Sequence, residues 1–334
     1  MSSGTRLIPI GGGKGGVGKS LTAANLAAAL AGLGQKTILV DLDLGGSNLY
    51  SYLGLPNSNP GIGDYLISKQ GSLADYQTAT AYPGLNYIPG DGRTPFMANL
   101  SYAQKIKLAK EIRRLDADFV IVDIGAGTSY NTIDYFSLAP LGMLLTTPDT
   151  PSLMNMLAFL KSFLLRNIIA RIKQYPETEK LIRTIQRQTI SSSLLTIDMI
   201  HNRLRETSAR AAAEVGQIIT TYRPRIVFNL ADDPQDMLVG RSVETAALKQ
   251  LSLRIDWFGL LFHDPAVRRS VRQRSLLLRD EADSLFAAGV RHLAQQIIDA
   301  WDRESQMSFE LLQAGTHAFL QQRGATDRPA ATTR

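Results

Sequence analysis

The sequence predicts an α/β fold, a doubly wound, mostly parallel sheet flanked by helices. Three observations carry that expectation. Short apolar runs alternate along the chain with longer stretches of helical spacing, several of the runs end at Asp41, Asp123 or Asn229, and a glycine-rich loop separates the first run from the first helical stretch. With 44% hydrophobic residues over 334, the chain can bury one large core, so every strand has room in a single sheet.

Arg6 to Ile10 reads as the first strand, the Ala/Leu-rich stretch Ser20 to Leu33 as the first helix, and Lys36 to Asp41 as the second strand. Pro56 to Gly63 holds Pro, Gly and Asn and predicts a surface loop. Leu85 to Pro89 is a further strand, and Tyr102 to Leu115 a helix leading into the strand Phe119 to Asp123. Gly142 to Thr147, Arg225 to Asn229 and Arg254 to Phe262 complete the sheet, and Glu281 to Trp301 is a closing helix. Leu153 to Ala170 is strongly apolar but carries Lys161 and Arg166; its helical spacing predicts an amphipathic core or interface helix rather than a membrane span. One domain is expected over 1–322, with a polar, disordered tail over 323–334.

The segment from Lys161 to Arg225 is long for a strand connection. It carries 12 Lys/Arg against 5 Asp/Glu, a net of +7, whereas the rest of the chain nets −1. Leu181, Ile182, Ile185, Leu194, Ile197, Ile200, Leu204, Val215, Ile218 and Ile219 recur at helical spacing, with breaks at Pro176 and Ser191 to Ser193. A helical insertion over about 161–224 is predicted. Its basic face is either a solvated decoration or a docking surface for an acidic partner, protein more than nucleic acid, because aromatic residues for base stacking are nearly absent apart from Tyr175 and Tyr222.

Gly13 to Ser20 satisfies G-x-x-x-x-G-K-[ST] at every position, between a strand and a helix as the motif's mechanism requires. Backbone N–H groups of Gly13, Lys14, Gly15, Gly16, Val17 and Gly18, continuing into Lys19, Ser20 and Leu21, would cradle phosphates at the positive end of the helix. Lys19 would reach the terminal phosphates and the Ser20 hydroxyl would hold Mg²⁺.

Lys14, inside the loop, is the additional lysine of the deviant motif K-G-G-x-G-K-[ST]. On it, and on Val40-Asp41-Leu42-Asp43 with Gly45, Gly46 and Asn48, on Phe119 to Asp123 followed by Gly125-Ala126-Gly127, on Thr146-Thr147-Pro148-Asp149 and on Arg225 to Asn229, the chain resembles the MinD/ParA family of ATPases. Gly125-Ala126-Gly127 and Asp264-Pro265-Ala266-Val267-Arg268 look most like its FlhG/FleN branch, which sets flagellar number and placement. The resemblance implies a Mg²⁺-dependent ATP hydrolase of low unstimulated turnover. It implies a homodimer closed around two ATP molecules, in which Lys14 reaches the partner's phosphates. By the same resemblance Asp43 orients the attacking water, and Ser20, Asp41, Asp43 and Asp123 form the metal side. Asn229, His263 and Asp264 lie on the base side, where Phe262 replaces the family's proline. Asp149 and Asn48 match dimer-contact positions, although Asp149 alone reads equally as a solvated loop acid.

Composition narrows the relatives. The chain has no cysteine, which excludes disulfides and thiolate-held clusters and with them the cluster-carrying branches of the family. His201, His263, His292 and His317 lack ligand spacing and read as surface or core residues. No apolar leader follows Met1 to Gly4, and a cytoplasmic protein is expected. The short segment before the first strand gives no support for the branch's N-terminal partner-stimulating motif. Phe309, Leu312, Thr316, Phe319 and Leu320 share a helical face with little surrounding positive charge, which predicts docking on the protein and weak or absent membrane binding. The alternatives are a ParA-type DNA-partitioning ATPase, using Arg268, Arg269, Arg272 and Arg274 on phosphates, and an ATP-dependent metabolic ligase on the same fold.

Overall fold

The computed structural model describes residues 4–68, 71–90, 100–187, 195–305 and 307–326. Its eight strands are β1 (Arg6–Gly11), β2 (Thr37–Leu42), β3 (Thr78–Ala79), β4 (Leu85–Ile88), β5 (Phe119–Ile124), β6 (Met143–Thr146), β7 (Arg225–Ala231) and β8 (Asp256–Phe262). They form one sheet in the order β3-β4-β2-β5-β1-β6-β7-β8, parallel throughout except for β3 against β4. This is the doubly wound sheet that the alternation predicts. The loop after β1 therefore opens at the centre of the carboxyl edge, where chain connections part to either side.

The helices are α1 (Lys19–Gly32), α2 (Leu49–Tyr52), α3 (Ile62–Ser68), α4 (Tyr102–Ile112), α5 (Tyr130–Phe136), α6 (Thr150–Ile172), α7 (Glu179–Arg187), α8 (Ile197–Thr207), α9 (Ala209–Thr221), α10 (Gly240–Leu251), α11 (Pro265–Gln273), α12 (Leu277–Asp280), α13 (Leu285–Ala300) and α14 (Ser308–Thr326). Successive strand residues point to opposite faces, which yields two cores. Ile8, Ile10, Leu39 and Ile121 face α1 and α13, whereas Ile38, Val40, Val120 and Val122 face the layer of α4, α5 and α6. The small side chains of α1 let it lie close on the sheet, and Leu21 to Ala31 are buried.

α6 is the one described helix long and apolar enough by composition to cross a membrane. In the fold it buries Met156, Phe159, Leu160, Phe163 and Ile168, the core role its spacing predicts. It runs unbroken through Lys161, so the first dozen residues of the expected insertion are simply its second half. The chain breaks at Pro176, as predicted, and α7 to α9 then pack beside α6 and α10 through Leu181, Ile185, Ile200, Leu204 and Val215. The expected break at Ser191 to Ser193 lies outside the described residues, as do residues 327–334 of the expected tail. The first part of that tail is helical, because α14 continues to Thr326, and Arg323 donates to the carbonyls of Asp283 and Ser284.

Glu281 to Trp301 is helical only from Leu285, where Ser284 caps the helix, and it does not close the fold. α14 does, with Phe309, Leu312 and Thr316 buried on the body of the protein. Two cations counted in the basic segment also leave the surface: Arg223 and Arg225, just before and at the start of β7, both pair with Asp256, at the start of β8, and all three are at least nine-tenths buried.

Candidate functional site

Two pattern glycines of the phosphate loop are required by close approach. A Cβ on Gly13 would lie 2.3 Å from the carbonyl carbon and oxygen of Asn155 on α6, and one on Gly18 would lie 2.3 Å from the Asn229 amide nitrogen. Gly16 and Gly18 also hold φ of 84° and 87°, in the left-handed region that favours glycine. Gly18 is the N-cap of α1, so the first-turn N–H groups from Lys19 onward face the loop, and Lys19 itself is only 8% exposed. The glycine segment after β5 closes on the loop, with the Gly127 amide donating to the Gly12 carbonyl at 3.3 Å.

Beside the loop, Asp41 and Asp123 end adjacent parallel strands and stand in register with each other. Both are fully buried. Burial first raises both carboxyls, to about 7 for Asp41, where the charge of Asp43 adds to it, and to about 8 for Asp123, where the charge of Asp41 adds to it, while the Ser20 hydroxyl and then the charge of Lys19 pull Asp123 back towards ionisation. The Oδ1 atom of Asp123 is buried without a hydrogen-bond partner. A partnerless carboxylate oxygen next to a second carboxylate, a hydroxyl and a phosphate loop fits a hard divalent cation. Mg²⁺ keeps several waters and shares phosphate oxygens, so a small number of protein oxygens is enough to hold it.

Asp43 leaves β2 and lays its carboxylate against Gly125, where a Cβ would come within 3.1 Å of Oδ1. Lys14, on the outer side of the loop, lies 3.4 Å from Asp149. Asp149 also caps α6 by accepting from the Ser152 amide at 2.9 Å. Asn48 is exposed and donates to the Gly46 carbonyl. Asn229 is 1% exposed beneath the loop and donates to the Val17 carbonyl at 2.9 Å; its own side-chain oxygen has no partner. A β-bulge follows it, with Leu230 at a φ of 58°, and redirects the end of β7.

The structure thus brings Lys14, Lys19, Ser20, Asp41, Asp43, Asp123 and Asn229 to one edge of the sheet. His263 and Asp264 follow β8, three positions from β1 in the sheet. His263 is exposed, and both Asp264 oxygens are engaged by backbone amides, Ala266 at 2.8 Å and Phe286 at 3.0 Å, so this carboxylate ties together the starts of α11 and α13. Of the four arginines on or next to α11, Arg269 is held by Glu281. Sequence reasoning missed Ser47 and Tyr87, whose hydroxyls meet Asp41; the available signal was a tyrosine in a four-residue strand, between Asn86 and Ile88.

The profile of the CobQ/CobB/MinD/ParA nucleotide binding domain matches residues 8–275. The flagellum site-determining protein YlxH of Helicobacter pylori is 27% identical over 256 residues, 73% of this chain and 85% of YlxH. The antiactivator FleN of Pseudomonas aeruginosa is 30% identical over 158 residues, 47% of this chain and 55% of FleN, so that match spans about half of each protein. In fold, the chain is similar to the septum site-determining protein MinD of Pyrococcus horikoshii, solved as a complex with Mg-ADP, at a TM-score of 0.56, 19% identity and coverage of 91% of this chain and all of that one. The chain therefore belongs to the MinD/ParA family of nucleotide-binding ATPases, with flagellar site-determining proteins among its relatives.

Proposed function

We propose that the protein is a Mg²⁺-dependent ATPase that dimerises around ATP and uses the ATP and ADP states to regulate the position or number of a cellular structure, as the resemblance to the FlhG/FleN branch implies. The observation that carries this reading is the buried, partnerless Oδ1 of Asp123 between Asp41, Ser20 and Lys19 at the mouth of the phosphate loop. Ser20 and Asp123 would hold Mg²⁺, with Asp41 alongside; when bound, the ion neutralises charge on the terminal phosphates.

Phosphoryl transfer to water is catalysed mainly by positioning and charge neutralisation, and the chain supplies both. Lys19 provides a fixed cation for the phosphates. Asp43, beside Gly125, orients the attacking water. Lys14 sits at the outer rim with its side chain 37% exposed, in reach of a second protomer, so hydrolysis depends on dimerisation. Asn229 and the segment at His263 and Asp264 form the base side.

The switching surface lies in the insertion. Arg183, Arg187, Arg203 and Arg205 are exposed on α7 and α8, opposite the buried Leu181, Ile185 and Leu204, and offer a basic face to an acidic protein partner. The reading is tested by measuring ATP hydrolysis, together with molar mass by light scattering in ATP and in ADP. Wild type is expected to hydrolyse ATP and to dimerise in ATP alone; Lys19→Ala is expected to lose tight ATP binding, and Asp43→Ala to bind ATP and dimerise without turnover. A protein that neither binds ATP nor changes mass with it refutes the proposal.

A further inference from the structure

Asp41 resembles a metal-side acid, yet its carboxylate is already engaged within the chain. Oδ1 accepts from the Asp43 amide at 3.1 Å, and Oδ2 accepts from the Ser47 hydroxyl at 2.5 Å and, at 3.5 Å, from the hydroxyl of Tyr87. Tyr87 and Ser47 also interact with each other, which closes a triangle of polar groups around Oδ2. Asp123, its register neighbour, keeps an oxygen free.

The three partners come from two different parts of the chain. Asp43 and Ser47 begin and nearly end the turn that leaves β2, a turn that is itself closed by the Gly46 amide on the Asp43 carbonyl at 2.9 Å. Tyr87 belongs to β4, where it stands beside Leu39 of β2 and is 1% exposed, so its ring is fixed by the core. The chain after β4 presses on the same spot. A Cβ on Gly90 would lie 3.0 Å from the Ser47 hydroxyl and 3.2 Å from the Asp41 carbonyl. At the far end the turn is anchored by Leu49, which is fully buried.

We propose that Tyr87, Ser47 and Asp41 form a post that fixes the turn from Asp43 to Asn48, and that Tyr87 and Ser47 are positioning residues for hydrolysis. The post holds the Asp43 carboxylate against Gly125, beside the phosphate loop. Without it, the turn would remain tethered at Leu49 but Asp43 would sample several orientations, and a misplaced water-orienting group loses rate steeply. Asp41 is accordingly an anchor of the turn, and Asp123 is the acid with coordination to offer. This inference rests on Asp43 orienting the attacking water.

The test uses the full chain with Tyr87→Phe, Ser47→Ala and Ser47→Thr. Tyr87→Phe and Ser47→Ala are each expected to lower kcat about tenfold, with KM for ATP and the Mg²⁺ concentration for half-maximal rate held within about twofold, and Ser47→Thr is expected to restore most of the rate. Amide hydrogen exchange over residues 43–48 in nucleotide-free protein is expected to quicken in the Phe and Ala variants and not in Ser47→Thr. A kcat within about twofold of wild type in both variants, or a loss matched by an equal rise in the Mg²⁺ requirement, overturns the proposal. If the wild type does not hydrolyse ATP, the ATPase reading fails by itself. Exchange over 43–48 then still decides the post: quickening supports it, and unchanged exchange overturns it.

Discussion

Asp41 and Asp123 face each other across adjacent parallel strands, fully buried, and among the described residues no cation side chain is hydrogen-bonded to either. The pair is costly to ionise in the nucleotide-free chain. Folding raises the Asp123 carboxyl from 3.8 to about 8, chiefly by burial, so between those values the folded chain binds more protons than the unfolded one. Its contribution to stability is therefore complete at the acid end of the window and is lost as pH rises through it. Asp123→Asn should melt near wild type at about pH 4 and increasingly above it as pH rises towards 8. Calorimetry without nucleotide checks this, and parallel pH profiles for the two proteins would show that the acids do not strain the fold.

Gly18 leaves no room for a side chain beside Asn229. An alanine at 18 would place its Cβ 2.3 Å from the Asn229 amide while holding a φ of 87°. Gly18→Ala should cost about 2 kcal/mol or more of stability. Adding Asn229→Ala removes the clash but leaves the backbone strain, so the double variant should recover part of the loss. Urea denaturation of the wild type and the two variants measures the difference; a double variant no more stable than Gly18→Ala would mean that backbone strain accounts for all of it.

Much of this arrangement was legible in the sequence because it is local. Apolar runs ending in Asp41, Asp123 and Asn229 disclose strands and their carboxyl-edge residues, and the loop glycines disclose the turn between β1 and α1. Contacts between distant segments were not legible. Charge counting includes Arg223 and Arg225 in the net charge of the basic segment without showing where they lie, whereas Asp256, at the start of the neighbouring strand, pairs with both and buries them. Asp264 reads as a base-side residue, but its two oxygens are engaged at the starts of α11 and α13, a pairing that only the folded chain creates. Tyr87 lies 46 residues from Asp41, and β3 has two residues, too few for any periodicity.

Lys14 and Asp149 form an ion pair at 3.4 Å with both side chains more than a third exposed, a contact worth about 0–1 kcal/mol. Asp149→Asn keeps an oxygen for the Ser152 amide that caps α6, removes the charge and replaces the oxygen that accepts from the Thr147 hydroxyl. It should lose under about 0.5 kcal/mol of stability and leave ATP-dependent dimerisation intact, because Lys14 must leave Asp149 to reach a second protomer. Lys14→Ala should lose dimerisation. Light scattering in ATP separates the two variants, and a Lys14→Ala protein that dimerises and hydrolyses at the wild-type rate would exclude the sandwich dimer.

Phe309 fastens α14 to the sheet. It is 2% exposed, packs edge-on to Trp257 at 6.3 Å and lies under the Arg241 guanidinium at 4.8 Å. Phe309→Ala should cost about 3–5 kcal/mol. Leu311, 61% exposed on the same helix, should tolerate alanine within about 0.5 kcal/mol. Denaturant unfolding of both variants tests whether α14 is an integral layer; equal effects would mean that it adds little to the fold.

The insertion offers the sharpest separation of surface from core. Arg183, Arg187, Arg203 and Arg205 are exposed, and Arg183 makes only a surface pair with Glu179 at 2.6 Å, two residues that are each about two-thirds exposed. The buried apolar residues of α7 and α8, Leu181, Ile185, Ile197, Ile200 and Leu204, are not among the positions changed. Replacing the four arginines with glutamate should therefore change stability by no more than about 0.5 kcal/mol per site and leave ATP binding and dimerisation at wild-type levels. It reverses the sign of the face that an acidic partner would meet, which suppresses encounter and places like charges in contact. Recruitment is read by the set of proteins that co-purify with an Asp43→Ala background in ATP but not in ADP, and by localisation in cells, both expected to be lost in the glutamate variant. The same proteins recovered at the same yield, with unchanged localisation, would make the insertion a stabilising decoration of the helical layer rather than the surface through which the nucleotide state is read.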